Sequence, residues 1–441
     1  MKNPRSASEV NLPQIVDDLI CLRHICGHTY FPKISRWRYY RNLERFSRGM
    51  NAVKGRRLTL QDQEQILART FGCVRYVYNW ALRMRTDAWH EGNRINYNQS
   101  SAALTELKKS KETEWLNEVS SVPVQQSLRH LQGAFVNFFE KRSDYPTFKR
   151  KDRKQSAEYT HAAFQWDAGN RNLTIAKLGR IKIKWSRDFK SEPSTVTLSR
   201  DPSGRYFVSL RLDEPVDKFL NTTASVGVDM GINRTMTLSD GTRIGNPRYT
   251  AKYEARLKLL LRRLAKKQKG SANRLKAKHK VAKLHANIDD CRKDFAHKAT
   301  TKIVRENQAI YLEDLSVRNM MANRSLSKAI GDCGWHEITR QLTYKAEMHG
   351  RTLVKIDRFF PSSKRCSCCG HIVEQLPLDV RRWQCPECSV EHDRDENAAK
   401  NILAAGQAVA ASGGTVRPKR TSVSRGASLR RKNHSENFSA S

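Results

Sequence analysis

Two cysteine pairs are the residues whose types and spacing point most directly to chemistry. Each pair has the spacing C-x-x-C, and fifteen residues separate the first pair from the second. Four thiolates at such spacings are typical of a tetrahedral structural zinc site, in which the protein fills every coordination position. The predicted zinc ligands are Cys366, Cys369, Cys385 and Cys388.

Neighbouring residues offer alternatives to this set of zinc ligands. Cys368 lies inside the first pair, and His371 and His392 flank the two pairs, so one of them could replace a cysteine. A redox dithiol is another alternative, although two paired motifs in one segment favour a metal. Four of the ten cysteines stand in these two pairs and not at the spacings of a disulfide framework, and in a reducing compartment such pairs are interpreted as metal ligands. The predicted location is the cytoplasm, at the nucleoid of a prokaryote.

Three carboxylates form a second candidate set. Asp229 lies between two glycines in an apolar run, Glu313 follows the run AIYL, and Asp395 stands behind the last cysteine pair. Each one alone could be a turn or a solvated strand end. Together they would need cations, because converging carboxylates repel one another, and Mg²⁺ is the ion that such ligands favour. Two Mg²⁺ ions about 4 Å apart are suited to phosphodiester hydrolysis.

Two residues are candidates for the third carboxylate. Asp393 and Asp395 both stand at the start of the last predicted helix, and one of them could serve only as its cap. The spacing of Asp395 and Asn397, followed by Ala398 and Ala399, favours Asp395 as the metal ligand. Asp393 stays the alternative.

The charge of the chain points to a polyanionic partner. Lys and Arg number 81 against 44 Asp and Glu, which gives a formal net charge of +37 over 441 residues. From Lys252 to Lys283 there are thirteen basic residues and one acid, Glu254. We expect this surface to lie along a nucleic-acid backbone. A membrane role is disfavoured, since no apolar stretch approaches the roughly 20 residues of a spanning helix.

The first half of the chain changes its periodicity near residue 145. A capping-box-like start at Thr59 opens a long amphipathic helix that ends near Gly92, and a second helical region covers about 100–142. Between 145 and 215 the period shifts to two, which predicts a small antiparallel β-domain with a basic face. The approach to it, Phe148–Lys154, is interpreted either as a phosphate-backbone contact or as a solvated loop.

The sequence of the second half of the chain predicts the strands and helices that position the carboxylates. A three-stranded meander begins at Ser225, and helices over 250–306 are broken at Gly270–Ser271. A strand, a helix from about Asp332 to His349, a strand and a last helix follow. This order is that of a ribonuclease-H-like fold.

In that fold an acid in the middle of the first strand, one at the end of the fourth strand and one on the last helix meet at one edge of the sheet. Asp229, Glu313 and Asp395 occupy these positions. Their convergence on a basic chain predicts a metal-dependent nuclease.

Six motifs carry a family resemblance: FGCVRYVYNWA (71–81), YPTFK (145–149), VGVDMGI (226–232), LEDL (312–315), FPSSKRCSCCG (360–370) and HDRDENAAKNI (392–402). They resemble those of the TnpB family, also called OrfB, of transposon-encoded RNA-guided nucleases related to type V CRISPR effectors. The resemblance runs from about Thr59 to Ala405. The leader before about residue 50 has no counterpart in the family pattern.

The resemblance implies a bilobed α+β multidomain protein. A helical region and a small β-domain would hold an RNA–DNA heteroduplex and a short target-adjacent motif, while a RuvC-like domain cuts DNA. The implied domains are an N-terminal extension (1–49), the first strand of the β or wedge domain (50–58), a helical recognition domain (59–143), the β-barrel-like wedge domain (144–224), the RuvC-like nuclease domain (225–361 and 392–410), an inserted zinc ribbon (362–391) and a disordered basic tail (411–441).

Carried over by position, Asp229, Glu313 and Asp395 are the implied catalytic acids and the four cysteines are the implied zinc ligands. The implied partners are a guide RNA from the transposon end and double-stranded target DNA, bound by a monomer with no membrane partner. Two alternatives differ in class. One is a transposase or resolvase that acts without guide RNA, and the other is a zinc-ribbon repressor that binds nucleic acid without cutting it.

Overall fold

The computed structural model describes residues 60–186 and 188–412 of the chain. Three predicted features lie outside the described residues: the N-terminal extension (1–49) with the first wedge strand (50–58), the helix cap at Thr59, and the basic tail from residue 413 onward. Within the described part, no helix has both the length and the apolar character that a membrane span requires.

Helices make up the first part of the described chain. They are α1 (Leu60–His90), α2 (Tyr97–Lys109) and α3 (Ser121–Phe139), with a 3-10 helix, Lys111–Asn117, between α2 and α3. The predicted long helix is confirmed as α1. The predicted helical region over about 100–142 is divided into three pieces instead of one.

Helix α1 joins two hydrophobic cores. Its first half, including Leu67 and Phe71, packs into the core of the β-domain. Its second half, including Val77 and Leu82, packs with α2 and α3 in a separate helical core. The apolar residues of this one continuous helix therefore connect the helical unit (α1, α2 and α3) to the β-domain.

The β-domain consists of six strands in two antiparallel sheets. Its strands are β1 (Gln155–Thr160), β2 (Phe164–Asp167), β3 (Asn172–Ile175), β4 (Gly179–Ile181), β5 (Thr195–Arg200) and β6 (Tyr206–Arg211). The sheet orders are β1–β5–β6 and β2–β3–β4, and both sheets contribute to one core. The antiparallel prediction is confirmed. Strand β4 is short, because its pairing with β3 ends at Ile181.

A mixed five-stranded sheet dominates the second half. Its strands are β7 (Ser225–Asp229), β8 (Arg234–Leu238), β9 (Arg243–Gly245), β10 (Ala309–Glu313) and β11 (Thr352–Ile356). Their order is β11–β10–β7–β8–β9. The meander β7–β8–β9 is antiparallel, as predicted, while β10 runs parallel to both β7 and β11. The carboxyl ends of β7 and β10 therefore lie side by side at one edge.

Helices cover both faces of this sheet. A basic hairpin, α4 (Tyr249–Ala265) and α5 (Ala272–Glu306), breaks between its helices as predicted, and the second part of α5 packs on one face with α8 (Trp335–His349). The last helix, α9 (Arg394–Ala411), packs on the other face against β7 and β10.

Two glycines allow α9 to approach the sheet closely. A methyl group at Gly227 on β7 would overlap the carbonyl oxygen of Ala399, and one at Gly406 on α9 would overlap the ring of Tyr311. Because the first turn of α9 carries an acid, this close packing sets the distance between that acid and the strand ends.

The predicted helix from about Asp332 to His349 is wrong at its start. Two short helices, α6 (Val317–Met320) and α7 (Ser327–Cys333), precede α8, and Asp332 lies in α7. Gly334 separates α7 from α8 with a φ of 69°, a left-handed conformation that glycine adopts without a steric penalty. A pattern of apolar residues does not reveal such a break.

Candidate active site and metal centre

Two candidate acids stand at the ends of neighbouring parallel strands. Asp229 is the last residue of β7, at its end and not in its middle as predicted, and Glu313 is the last residue of β10. The preceding residues, Val228 and Leu312, are register partners. The topology therefore directs both carboxylates to the same edge of the sheet.

The surroundings of Asp229 disfavour its charged form. Its carboxyl is desolvated by the surrounding protein and repelled by Glu313 and then Asp395, which together raise its pKa to about 8. Both desolvation and nearby like charges stabilise the protonated acid. Asp229 therefore lies within electrostatic reach of both Glu313 and Asp395.

Glu313 has a hydrogen-bond partner that orients it. The buried hydroxyl of Ser362 donates to Oε1 of Glu313. Burial raises the pKa of Glu313, and the Ser362 hydrogen bond opposes that shift. Ser362 lies in the loop after β11, so this loop fixes one rotamer of the acid.

The two aspartates before α9 have different roles in the structure. Asp393 is the N-cap of α9, and its Oδ1 accepts hydrogen bonds from the backbone N–H groups of Asp395 and Glu396, both at 3.2 Å. Asp395 lies in the first turn and is the one whose charge acts on Asp229. This division of roles favours Asp395 over Asp393 as the third candidate acid.

Two arginines on strands β8 and β9 and one that directly precedes β12 (Arg382–Gln384) approach the two aspartates. Arg234 and Arg243 approach Asp393 to 3.4 and 3.0 Å, and Arg381 approaches Asp395 to 3.3 Å. Burial opposes ionisation of Asp393, but the N–H of Glu396, then Arg243 and Arg234, outweigh it and lower its pKa. Asp393 is therefore an ionised cap held by positive charge.

The three candidate acids do not form one compact ligand group. Among the described residues, the only cluster of three or more Cys, His, Asp or Glu with ligand atoms all within 4.8 Å of one another is the thiolate cluster. That cluster is Cys366, Cys369, Cys385 and Cys388.

The thiolate cluster has the dimensions of a tetrahedral site. The Sγ atoms of Cys366 and Cys388 are 3.6 Å apart, as are those of Cys369 and Cys385. Four sulfurs bound tetrahedrally at roughly 2.3 Å from one zinc ion would lie about 3.8 Å apart. Strands β12 (Arg382–Gln384) and β13 (Glu391–Asp393) pair beside it and carry the second cysteine pair on their connecting turn.

The alternative ligands lie outside the thiolate cluster. Cys368 is exposed, and its backbone N–H points to the Sγ of Cys366. The carbonyl oxygen of His371 accepts a hydrogen bond from the N–H of Cys366 at 2.7 Å. His392 is buried with Nε2 at 3.0 Å from the Sγ of Cys366, the position of a partner to a ligand.

The charge of Cys366 reflects these contacts. Burial opposes its thiolate, but the N–H groups of Cys369 and Cys368 and the ring of His392 outweigh it and lower its pKa to about 5. A thiolate, rather than a thiol, is the form that binds metal.

Two asparagines connect the thiolate cluster to the acid-bearing helix. Asn397 accepts from the N–H of Ser367 at 2.9 Å and donates to the carbonyl of Arg365 at 2.7 Å. Asn401 donates to the carbonyls of Arg365 and Ser362. The loop that contains Ser362 and the first cysteine pair is thus attached to α9.

Sequence reasoning missed Ser362, Asn401 and the three arginines as parts of this site. Ser362 and Asn401 lie within motifs that signalled the site, but only the fold shows which atoms they contact. Arg234 and Arg243 had no sequence signal, because they lie on strands whose pairing brings them to α9.

Together, the fold and the site define a mixed α/β protein with candidate metal centres at one sheet edge and in a thiolate cluster. Three family models match its sequence: "Probable transposase" of the OrfB/IS605 type over residues 208–324, the "Cas12f1-like, TNB domain" over 335–402, and a "Helix-turn-helix domain" over 53–94. The described part of the last match is the single helix α1.

Relatives match over most of the chain. A "Putative RNA-guided DNA endonuclease" of Streptomyces pristinaespiralis is 52% identical over 86% of this chain and 94% of its own length. The "Putative RNA-guided DNA endonuclease InsQ" of Escherichia coli K12 is 34% identical over 81% of this chain and 92% of its own. The chain belongs to the OrfB, or TnpB, family.

A solved structure is also similar. It is the Cas12f1 chain in a cryo-EM structure of the Cas12f1–sgRNA–target DNA complex, at 16% identity and a TM-score of 0.49, covering 78% of this chain and 83% of that one.

Proposed function

We propose that this protein is an RNA-guided DNA endonuclease whose cleavage site is formed by Asp229, Glu313 and Asp395. The observation that carries the proposal is the placement of the acids: Asp229 and Glu313 end neighbouring parallel strands, and Asp395 lies in the first turn of the helix that packs against both strands. The family membership supports the RNA-guided reaction, since relatives over nearly their full length have that name.

The sheet order supports a ribonuclease-H-like nuclease domain. In the order β11–β10–β7–β8–β9, the first strand is central and the fourth lies parallel beside it. The division proposed for the chain is a helical recognition domain (59–143), a wedge domain (144–224), a nuclease domain (225–361 and 392–410) and a zinc ribbon (362–391).

The acids would hold Mg²⁺. Two such ions supply an activated water and charge stabilisation at the leaving oxygen in phosphodiester hydrolysis. The residues fit this role because a half-buried carboxylate with like charges near it, as Asp229 is, gains most from a cation. Asp229 and Glu313 present their carboxylates side by side, Ser362 orients Glu313, and the packing of α9 fixes the approach of Asp395.

The thiolate cluster would hold a structural zinc ion. The Sγ separations of 3.6 Å fit a tetrahedral site, and all four positions are filled by cysteine. Through Asn397 and Asn401 the ribbon steadies the loop that orients Glu313, so zinc would act on the cleavage site by positioning.

The partners follow from this proposal. A guide RNA from the end of the element would select double-stranded target DNA by base pairing, with the protein reading only a short adjacent motif. The excess of positive charge on α4 and α5 supports binding to the phosphate backbone.

RNA sequencing and retargeting test the proposal. The protein is purified from cells that carry its element, and the co-purifying RNA is sequenced. A discrete RNA from the element end is expected, and a changed guide segment should move the cut to the matching DNA. Cuts at element DNA with no discrete RNA would favour a transposase or resolvase instead.

An Asp229→Asn variant is the matched control. It should retain the RNA and the zinc while losing cleavage. Equal cleavage by variant and parent would mean that the three acids are not the catalytic set. Binding without cleavage by the parent would favour the repressor.

A further inference from the structure

A short segment between the helical unit and the β-domain carries charge and exposed aromatic side chains. It runs from Tyr145 to Gln155 and is called the basic loop below. From Lys149 to Lys154 it contains five cations and one acid. Phe148 precedes them and is 53% exposed.

The basic loop is fixed along helix α1. Asn79 accepts a hydrogen bond from the N–H of Lys149 at 2.7 Å and donates to its carbonyl at 3.0 Å. Tyr145 bonds to Thr86 through its hydroxyl at 2.7 Å. A loop anchored in this way presents its outward side chains in a defined order, so it is more than a solvated connection.

The far end of the basic loop is equally well held. The amide of Gln155 donates to the carbonyls of Arg150 and Arg153, and Arg75 on α1 donates to the Gln155 side chain at 2.9 Å. Anchors at both ends mean that ordering this segment costs little when a ligand binds.

The side chains of the basic loop are divided between the interior and solvent. Lys149 turns inward, with its Nζ 4.0 Å from the ring centre of Tyr78, and burial lowers its pKa to about 8. Phe148, Lys151 and Arg153 face solvent. The one acid, Asp152, is neutralised by Arg150 at 3.0 Å and Lys278 at 3.6 Å.

We propose that Phe148 is a stacking platform for an unpaired DNA base, with the adjoining phosphates bound by Lys151 and Arg153. An exposed ring beside a run of cations combines the two contacts that single-stranded nucleic acid offers, a base face and a charged backbone. The choice of DNA rests on the proposed function, because guide pairing with one strand of a duplex leaves the other strand unpaired.

The structure supplies a contrasting aromatic residue. Trp115 is also exposed, at 38%, but it lies in a 3-10 helix whose first turn carries Glu112 and Glu114. Acidic surroundings repel phosphates, so Trp115 is a matched control for the loss of an exposed ring.

Fluorescence binding tests the stacking. The full-length protein is titrated, without divalent ions, into a single-stranded DNA of about 12 nucleotides that carries 2-aminopurine. Phe148→Leu should weaken binding roughly tenfold and abolish the quenching of the aminopurine. Phe148→Trp should retain both, and Trp115→Leu should match the parent.

The salt dependence tests the charge separately. Lys151→Gln and Arg153→Gln should each reduce the slope of log affinity against log salt by about 0.7, with the quenching at saturation unchanged. Phe148→Leu should leave that slope intact. Heparin, a polyanion without bases, should bind parent and Phe148→Leu equally.

Three results would overturn the proposal: Phe148→Leu within twofold of the parent, an equal loss in Trp115→Leu, or stronger Phe148-dependent binding of RNA than of DNA of the same sequence. The assay requires neither guide nor cleavage. Its failure would leave the proposed endonuclease intact, and loss of cleavage in the acid variants would leave the stacking intact.

Discussion

The thiolate cluster and the carboxylate site lie beside the same loop, yet they are assembled in opposite ways. The four cysteines come from one segment of about the length of a zinc ribbon, and their sulfurs already lie at metal-binding separations. The three acids come from β7, β10 and α9, and Glu313 and Asp395 both repel Asp229. The thiolate ligands are thus positioned by local turns, whereas the positions of the carboxylates depend on the packing of the whole domain.

This comparison explains why the two sites should respond differently to damage. A local ribbon tolerates changes elsewhere but fails without its metal. A site built across a sheet retains its fold without metal but loses its geometry when a distant contact changes.

Loss of a zinc ligand is expected to have the largest effect. Metal binding contributes on the order of 10–16 kcal/mol to folding in small zinc-finger peptides, so Cys385→Ser should unfold residues 362–391 and lose the zinc. Metal analysis and limited proteolysis measure both effects. Cys368→Ser is the control, since its exposed side chain lies outside the cluster, and loss of zinc there would mean that the ligand set is wrong.

Loss of the close packing between α9 and β7 should have the next largest effect, on the rate of cleavage. Gly227→Ala should push α9 off β7 and displace Asp395, and a misplacement of about 1 Å can cost roughly 100-fold in rate. Zinc content should not change. Gly245→Ala, which meets open space, should cleave like the parent. Loss of zinc in Gly227→Ala would break the separation between the two sites.

Loss of the hydrogen-bond partner of Glu313 should have a smaller effect on the rate of cleavage. Loss of a hydrogen-bond partner to a metal ligand costs about 10- to 100-fold, and we expect the lower end for Ser362→Ala. The hydrogen bond lowers the pKa of Glu313, so its removal raises that pKa further and should shift the pH profile of cleavage upward. Ser363→Ala is the neighbouring control, and an unshifted profile would mean that Ser362 does not act through Glu313.

A separate effect concerns stability in buffer without Mg²⁺. The folded-state pKa of Asp229, about 8, lies above its unfolded value of 3.8, so the folded state binds the extra proton and stability falls as pH rises between these values. The Asp229→Asn variant has no ionisable group at this position, so it lacks this fall in stability with pH. The Tm of the variant minus that of the parent should therefore grow from pH 4 to pH 8, and a difference independent of pH would contradict the buried repulsion.

Much of the site followed from sequence because its signals are local. Spacing favoured the four cysteines that the structure brings together, and the order of elements led to three acids of which Glu313 and Asp395 both act on Asp229. The catalytic and zinc-binding roles assigned to these residues stay predictions.

What the sequence could not provide is a matter of tertiary contacts and backbone conformation. The hydrogen bond from Ser362 to Glu313 joins residues 49 positions apart, and nothing in either motif specifies it. The break at Gly334 depends on one positive φ angle. The choice between Asp393 and Asp395 required knowing which carboxylate reaches the first N–H groups of α9.

That choice also provides the most direct test of the central claim. Guide-loaded Asp395→Asn and Asp393→Asn proteins are compared for cleavage of matched DNA in Mg²⁺. We expect Asp395→Asn to lose cleavage well beyond the roughly 10- to 100-fold cost of a lost ligand partner, while Asp393→Asn, which keeps a capping oxygen, cleaves within that range of the parent. Cleavage by Asp395→Asn at the rate of the parent would contradict the account.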